Sequence, residues 1–349
     1  MAEIRFQSRE DTLELLNPLK GFQRDTQRLQ VRKDPLLGHT SIYNPLIEHG
    51  RKIFVGVADR ALMERLRTES APNCFFCPEK LAGTARFTED FIGEGRIEIG
   101  ETVLFPNLFS LGKHHAVAVI SKEHFLELDH FTATLLTDAL QAVRKYVIAV
   151  YRHDASANYV SVNANYLFPA GASLMHPHFQ PLVTTDPYTH QGALLEACRN
   201  YLSSHGRAFH EDLIETERTL GERYVAQIGG WHWMAAYAPR GSNEIIGVHE
   251  ASGDLSGVPE TDVQALARGL SAVLRTFGHL GYLSFNFSLY ARRAPTAPDG
   301  FTCLIRCMTR QNPSAAYRTD DFFLQKGLQT EIILKLPEEL AAQARPFFR

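Results

Sequence analysis

Two stretches of helical periodicity, roughly 130 residues apart, constrain this chain more than any other feature. From Asp129, "DHFTATLLTDALQAVRKYVIAVYR" carries apolar residues at 135, 136, 139, 140, 143, 146, 147 and 150. That is the three- and four-residue spacing of a helix with one buried face, and Asp129 is its expected N-cap. "PETDVQALARGLSAVLRTFGHLG" (259–281) repeats the pattern and closes on glycine, which suits a helix C-terminus. Each helix is flanked by strand-like runs in the same order. "ETVLFPNLFSLGKHHAVAVI" (101–120) precedes the first, with "NYVSVN" (158–163) and "GASLMHPHFQPL" (171–182) after it. "GWHWMAAYAP" and "NEIIGVHE" precede the second, with "YLSFNFSLYA" and "FTCLIRCMTR" after it. The expected architecture is α+β, a degenerate duplication of a strand-strand-helix-strand-strand unit. The period is too long for a solenoid, and no low-complexity linker separates the halves, which are expected at 1–189 and 190–349. The first ~70 residues read as a strand-and-loop lead-in, in which "LQVRKDPLLGHTSIYNP" (29–45) contains one short extended piece.

With 349 residues, 44% hydrophobic and 21% charged, the chain has an ordinary globular composition. Its formal charge of −3 and pI near 6.6 offer no general attraction for nucleic acid or anionic lipid. The first residues mix charges without the apolar run of a signal peptide, and no window reaches the ~18 apolar residues of a membrane span. A cytoplasmic location is expected, with neither nucleic acid nor membrane as partner. Five cysteines do not make a disulfide framework in a chain of this size.

Two motifs carry chemistry. In an extended strand, His176, His178 and Gln180 of "HPHFQ" project from one face, because side chains alternate. Pro177 donates no ladder hydrogen bond, which places such a strand at an edge or beside an irregularity. A single histidine in a strand is usually a satisfied core or surface residue, but three polar groups on one face demand partners or a ligand. "CFFC" (74–77) supplies two thiols at the spacing of half a tetrahedral zinc site, with a redox dithiol as the competing reading. Cys198, Cys303 and Cys307 form no second such pair, so further ligands are sought among histidines. "FIGEGRIEIG" (91–100) has a Gly-x-Gly without the full dinucleotide fingerprint and reads as a turn.

"NANYLFPAGASLMHPHFQ" (163–180) resembles the active-site segment of the galactose-1-phosphate uridylyltransferase-like family, a branch of the histidine-triad superfamily. "VRKDPLLGHTSIYNP", "APNCFFCPE", "FPNLFSL" and "VISKEHFLELDHF" are similar to further segments of that family, so the likeness extends over most of the chain. The resemblance implies a duplicated histidine-triad fold, two pseudo-symmetric antiparallel-sheet halves with packed helices. It implies one structural Zn2+ held by Cys74, Cys77, His124 and His176, with His124 on a strand. It makes His178 the nucleophile, assisted by Gln180 and Ser173. It also puts Asn107, Asn165, Gly171, Ser173 and Gln180 around the nucleotide, with Arg32 reaching the partner's site in a homodimer.

The function these residues imply is transfer of a nucleoside monophosphate from a nucleoside-diphosphate sugar to a phosphorylated acceptor through a covalent nucleotidyl-His178. A phosphorylase using inorganic phosphate is the nearest alternative, on a nucleoside-diphosphate sugar or a dinucleoside polyphosphate. A zinc-stabilised nucleotide-binding protein without turnover is the alternative of another class. "SFNFSLYARR" and "CLIRCMTR" contain no histidine, so the second metal site of some family members is not expected. Neither acceptor element of the galactose enzymes is recognisable, which argues against galactose 1-phosphate. Phe179 stands where the family usually has a small residue and is expected to pack in the core.

Overall fold

The computed structural model describes residues 4–49, 56–315 and 319–349. In chain order the strands are β1 (Gln7–Asn17), β2 (Gln23–Lys33), β3 (Thr40–Tyr43), β4 (Ile97–Ile99), β5 (Thr102–Pro106), β6 (His114–Val119) and β7 (Tyr159–Tyr166). They continue with β8 (His178–Thr184), β9 (Tyr224–Ile228), β10 (Trp231–Ala235), β11 (Ile245–His249), β12 (Phe285–Arg292), β13 (Leu304–Thr309) and β14 (Thr330–Ile333).

Strands β4 to β13 form one ten-stranded sheet in the order β4-β5-β6-β8-β7-β12-β13-β11-β10-β9. Its pairings are antiparallel. The strand order is the same read outward in either direction from the central β7–β12 pair, and along the chain each side runs as three strands, a long helix, then two strands. The helices Ala133–His153 and Glu260–His279 occupy equivalent places. The mixed α+β class and both predicted helices are present. The first helix is capped by Thr132, whose Oγ1 accepts from the Leu135 N–H, while Asp129 sits in a short turn upstream. Thr132 takes that role because its extended backbone ends the turn where the helix begins.

One face of the sheet is dry. Leu136, Leu140, Val143 and Val147 of the first helix and Leu266, Leu270, Val273 and Phe277 of the second pack on inward residues of the strands, each at or below 1% exposure. Each such side chain contributes about 1.5–3 kcal/mol relative to an exposed one. Contact is close where Gly269 meets Trp233, since a Cβ there would lie 2.2 Å from the indole. Gly269→Ala should lower stability by about 1–3 kcal/mol through overpacking, and thermal denaturation measures it. An unchanged melting temperature would contradict this packing.

The other face is covered only at its ends. At one, Phe76 of the Cys74–Cys77 knuckle and Leu81 of the helix Pro78–Leu81 pack on Phe105, Val117 and Val119. At the other, Leu194, Leu195, Phe209 and Leu213 of the helices Thr189–His205 and Phe209–Leu220, with Ile4, cover Met234, Ile246, Val248 and Leu304. Sequence reading gave these two helices no place.

The lead-in departs from expectation. Instead of one short extended piece, β1 and β2 form an eleven-residue antiparallel hairpin, β3 joins it, and β14 pairs in parallel with β3. A helix also spans Arg60–Ser70. "QSREDTLELLN" is exposed along nearly its whole length, so no hydrophobic alternation marks it as a strand. On β14, Glu331 accepts from Gln325 Nε2 and from the Ile332 N–H, each at 2.7 Å. Burial first, then Asp320 and Asp321, push its pKa up to about 7. A carboxyl raised in this way holds its proton more tightly in the folded chain, so stability falls as pH rises from the ordinary carboxylate range to about 7. Glu331→Gln should therefore gain on the wild type by roughly 1–3 kcal/mol between pH 5 and pH 8, read from paired melting curves. A gap independent of pH would contradict it. No helix among the described residues is long and apolar enough to cross a membrane.

Candidate functional site

Cys74 follows a short turn after the helix Arg60–Ser70, and Cys77 precedes Pro78, which starts the helix Pro78–Leu81. The knuckle folds over the end of the sheet beside His176. Ligand atoms of Cys74, Cys77, His124 and His176 all lie within 4.8 Å of one another and could hold one metal ion. Cys74 Sγ and Cys77 Sγ are 3.7 and 3.6 Å from His176 Nδ1, and Cys77 Sγ is 3.4 Å from His124 Nδ1. His124 lies in a bend after β6 rather than on a strand, because β6 ends at Val119.

The tautomers of both imidazoles follow from their other nitrogens. His176 Nε2 donates to the Ser121 carbonyl at 2.8 Å, which leaves Nδ1 bare toward the sulfurs. Ser70 Oγ donates to Leu66 O, so at 2.8 Å it accepts from His124 Nε2 and again frees Nδ1. Burial lowers both pKa values, that of His176 to about 4, and so favours the neutral rings. Burial pushes the Cys77 thiol up to about 12, with Cys74 adding to the rise.

Pro177 stands just before β8, and its carbonyl accepts from the Ile120 N–H. β8 is thus an interior strand between β6 and β7 rather than an edge strand. The proline is accommodated because it lies outside the ladder. His178 begins the strand opposite Val119, and Gln180 lies opposite Asn163 of β7. His178 Nδ1 donates to the His176 carbonyl at 2.8 Å. A carbonyl only accepts, so the proton is on Nδ1 and Nε2 carries the free lone pair. The ring is 8% exposed, and burial lowers its pKa against the opposing effect of that hydrogen bond. Phe76 presents its edge to both rings, with centroids 6.2 Å from His176 and 5.2 Å from His178. Phe179, on the opposite face, is buried edge-to-face against Phe287.

Gln180 brings in a residue that sequence reading left without a role. His115 Nδ1 accepts from the Leu111 N–H at 3.0 Å, so its Nε2–H donates to Gln180 Oε1 at 3.0 Å. Asn107 Oδ1 accepts from the Phe109 N–H, turning its Nδ2 to the same Gln180 oxygen at 3.4 Å. With Oε1 so engaged, the amino end of Gln180 is the free end. The pairing of Asn107 N–H with His115 O could have signalled this, since it closes the β5–β6 hairpin.

Asn165, two residues beyond Asn163 on β7, projects from the same face toward the His178 end of β8. Its Oδ1 accepts from Asn286 Nδ2 of β12 at 2.7 Å, and Asn163 Oδ1 accepts from Ser288 Oγ at 2.7 Å. Asn286 and Ser288 are the polar alternates of "FNFSLY", a period-two signal that could have identified them. The loop between β7 and β8 is strained at its start. Leu167 has φ 66° and ψ 163°, a region nearly reserved for glycine and costing about 1–3 kcal/mol. Gly171 has φ +85° with open space around a built Cβ, so backbone conformation rather than room requires glycine there. Ser173 is exposed on the same loop.

Arg32 is not brought to this site. Its guanidinium meets both Glu338 oxygens at 2.9 and 3.1 Å, its Nε donates to Gln30, and its face covers Tyr237 at 4.9 Å. Within one chain those contacts tie β2 to the C-terminal helix Pro337–Ala344.

No protein-family model matches the chain. An uncharacterized protein of Archaeoglobus fulgidus is 30% identical over 274 residues, 78% of this chain and 80% of that protein. An ADP-glucose phosphorylase of Arabidopsis thaliana, solved with bound ADP-glucose, superposes with a TM-score of 0.68 at 16% identity, covering 91% of this chain and 98% of its own. A uridylyltransferase mutant superposes with a TM-score of 0.66 at 18% identity, covering 91% and 97%. The chain belongs to one family with the Archaeoglobus protein, and its fold is that of the ADP-glucose phosphorylase and uridylyltransferase structures.

Proposed function

We propose that the protein is a nucleotidyltransferase in which His178 Nε2 attacks the α-phosphorus of a nucleoside-diphosphate sugar. The observation that carries this reading is the hydrogen bond from His178 Nδ1 to the His176 carbonyl, which leaves Nε2 bare and aimed away from the backbone. A neutral imidazole needs no general base. As the Nε2–phosphorus bond forms, the bridging phosphorus–oxygen bond breaks, and the sugar phosphate leaves with that electron pair. A phosphate oxygen of the acceptor then attacks phosphorus, and the phosphorus–nitrogen bond breaks back to Nε2. Gln180, presenting its amino end, donates to a non-bridging oxygen as charge develops. Ser173 and the backbone at Gly171 meet the leaving phosphate, and Asn107 and Asn165 hold the nucleotide.

The metal is zinc. Zinc–sulfur and zinc–nitrogen bonds of about 2.3 and 2.05 Å at the tetrahedral angle give a sulfur-to-nitrogen edge of about 3.6 Å. The observed separations of 3.4 to 3.7 Å fit that edge, and two thiols with two bare Nδ1 atoms are a suitable donor set. A zinc ion held by these four residues would serve structurally by fixing His176, whose carbonyl orients His178. The two halves, 1–189 and 190–349, are copies of one histidine-triad unit, supported by the matching strand order about β7 and β12.

A phosphorylase is the second reading, favoured by the likeness to the ADP-glucose phosphorylase. One experiment separates the two. The protein is incubated with ADP-glucose or UDP-glucose labelled at the α-phosphate, and the labelled protein is then offered glucose 1-phosphate, galactose 1-phosphate or inorganic phosphate. Glucose 1-phosphate reverses the first step in either case; discharge by galactose 1-phosphate supports transfer, and discharge by inorganic phosphate but not by galactose 1-phosphate supports phosphorolysis. Tight nucleotide binding without any acid-labile label would overturn both.

A further inference from the structure

We infer that Asn286, on β12 of the second half, is a positioning residue that decides which end of the Asn165 amide faces the nucleotide. The inference rests on the reading that phosphates lie over His178, and it gives the second half a part in the same site.

Asn286 has only one workable orientation. Its Nδ2 faces three oxygens, Asn165 Oδ1 at 2.7 Å, Ala170 O at 3.0 Å and Ala164 O at 3.3 Å. Its Oδ1 accepts from Arg310 Nη1 at 2.7 Å. Turned over, it would set an oxygen against three oxygens and an amino group against a guanidinium. Arg310 is itself held, its Nε reaching both Asp320 oxygens at 3.0 and 2.9 Å and its Nη2 lying 3.3 Å from Asp321. The chain of contacts therefore runs from a fixed ion pair through Asn286 to Asn165. Because Asn165 Oδ1 is taken by Asn286, Asn165 presents its amino group on the other side. Gln180 is held in the same sense from the first half, by His115 and Asn107. Two amino groups, from β7 and β8, are then offered on one face as donors, an arrangement that matches an anionic phosphate. The Ala170 contact also ties β12 to the strained loop that leads to Gly171 and Ser173.

Isosteric replacement tests this. Asn286→Asp keeps the shape and strengthens the pairing with Arg310, but it puts an acceptor opposite Asn165. Asn165 must then turn over to donate, which leaves its oxygen toward the phosphate. Asn286→Ala removes the constraint without reversing it. The expected order of single-turnover label transfer at saturating nucleotide is wild type, then Asn286→Ala lower by about tenfold, then Asn286→Asp lower by about 10²-fold or more. A merely structural role predicts that activity follows melting temperature across the two variants, whereas the positioning role predicts a loss in Asn286→Asp beyond what its melting temperature accounts for. A second readout does not need turnover: in Asn286→Asp the side-chain amide protons of Asn165, followed by ¹⁵N NMR, should become protected from solvent exchange. Equal labelling by wild type and Asn286→Asp, or losses that merely follow melting temperature, overturns the inference and leaves the proposed function standing. If wild type takes no label, the proposed function fails, and the exchange readout decides alone, unchanged Asn165 protection overturning the inference.

Discussion

His178→Ala should take no α-phosphate label from a nucleoside-diphosphate sugar, and its turnover should fall on the order of 10⁴-fold or more, because no neighbouring group replaces a lost nucleophile. The label on wild type should be stable to base and released by acid, as a phosphorus–nitrogen bond is. Nucleotide affinity should change far less, since Asn107, Asn165 and Gln180 are held by partners other than His178. The ring lies between Phe76 and the His176 carbonyl, so its loss leaves the ten-stranded sheet intact. Label retained by the alanine variant would mean that another atom attacks, and the reading of the bare Nε2 would fall.

Cys74→Ser should reduce bound zinc from about one per chain toward none and lower stability by about 4 kcal/mol where free zinc exceeds its dissociation constant a thousandfold. Chelation of the wild type should do the same, and both should be reversed or absent on the terms of metal binding rather than of thiol oxidation. On the proposed reading activity should fall with the metal, because His176 would lose an anchor and its carbonyl would no longer fix the His178 tautomer. Metal analysis and melting curves with chelator and with dithiothreitol separate the two readings of the Cys-x-x-Cys pair. A response to oxidant and reductant, with none to chelator and no zinc in the protein as isolated, would establish the dithiol and remove the metal.

How much of this was legible depended on how local each signal is. The long helices could be read because Leu136, Leu140, Val143 and Val147 recur at helical spacing, and the strands of the sheet because they are short apolar runs between turns. The hairpin β1–β2 could not, because polar residues on both of its faces leave no alternation. Cys74, Cys77, His124 and His176 were identified through motif resemblance, and the structure brings their ligand atoms together. The pairing of Arg32 with Glu338, 306 positions away, had no local signal.

The sequence by itself determined the composition of the parts, two amphipathic helices, a set of strands, a cysteine pair and a histidine on each side of Pro177. It did so because hydrophobic period and residue chemistry are properties of short segments. The tertiary structure alone decided which nitrogen of each imidazole is bare and which end of each amide is free. Those choices depend on a carbonyl at 121, a hydroxyl at 70, an imidazole at 115 and an amide at 286, and only the folding of the sheet and its knuckle sets these beside residues far away in the chain. A hydrogen bond has direction, and its direction is fixed by whichever partner the fold supplies.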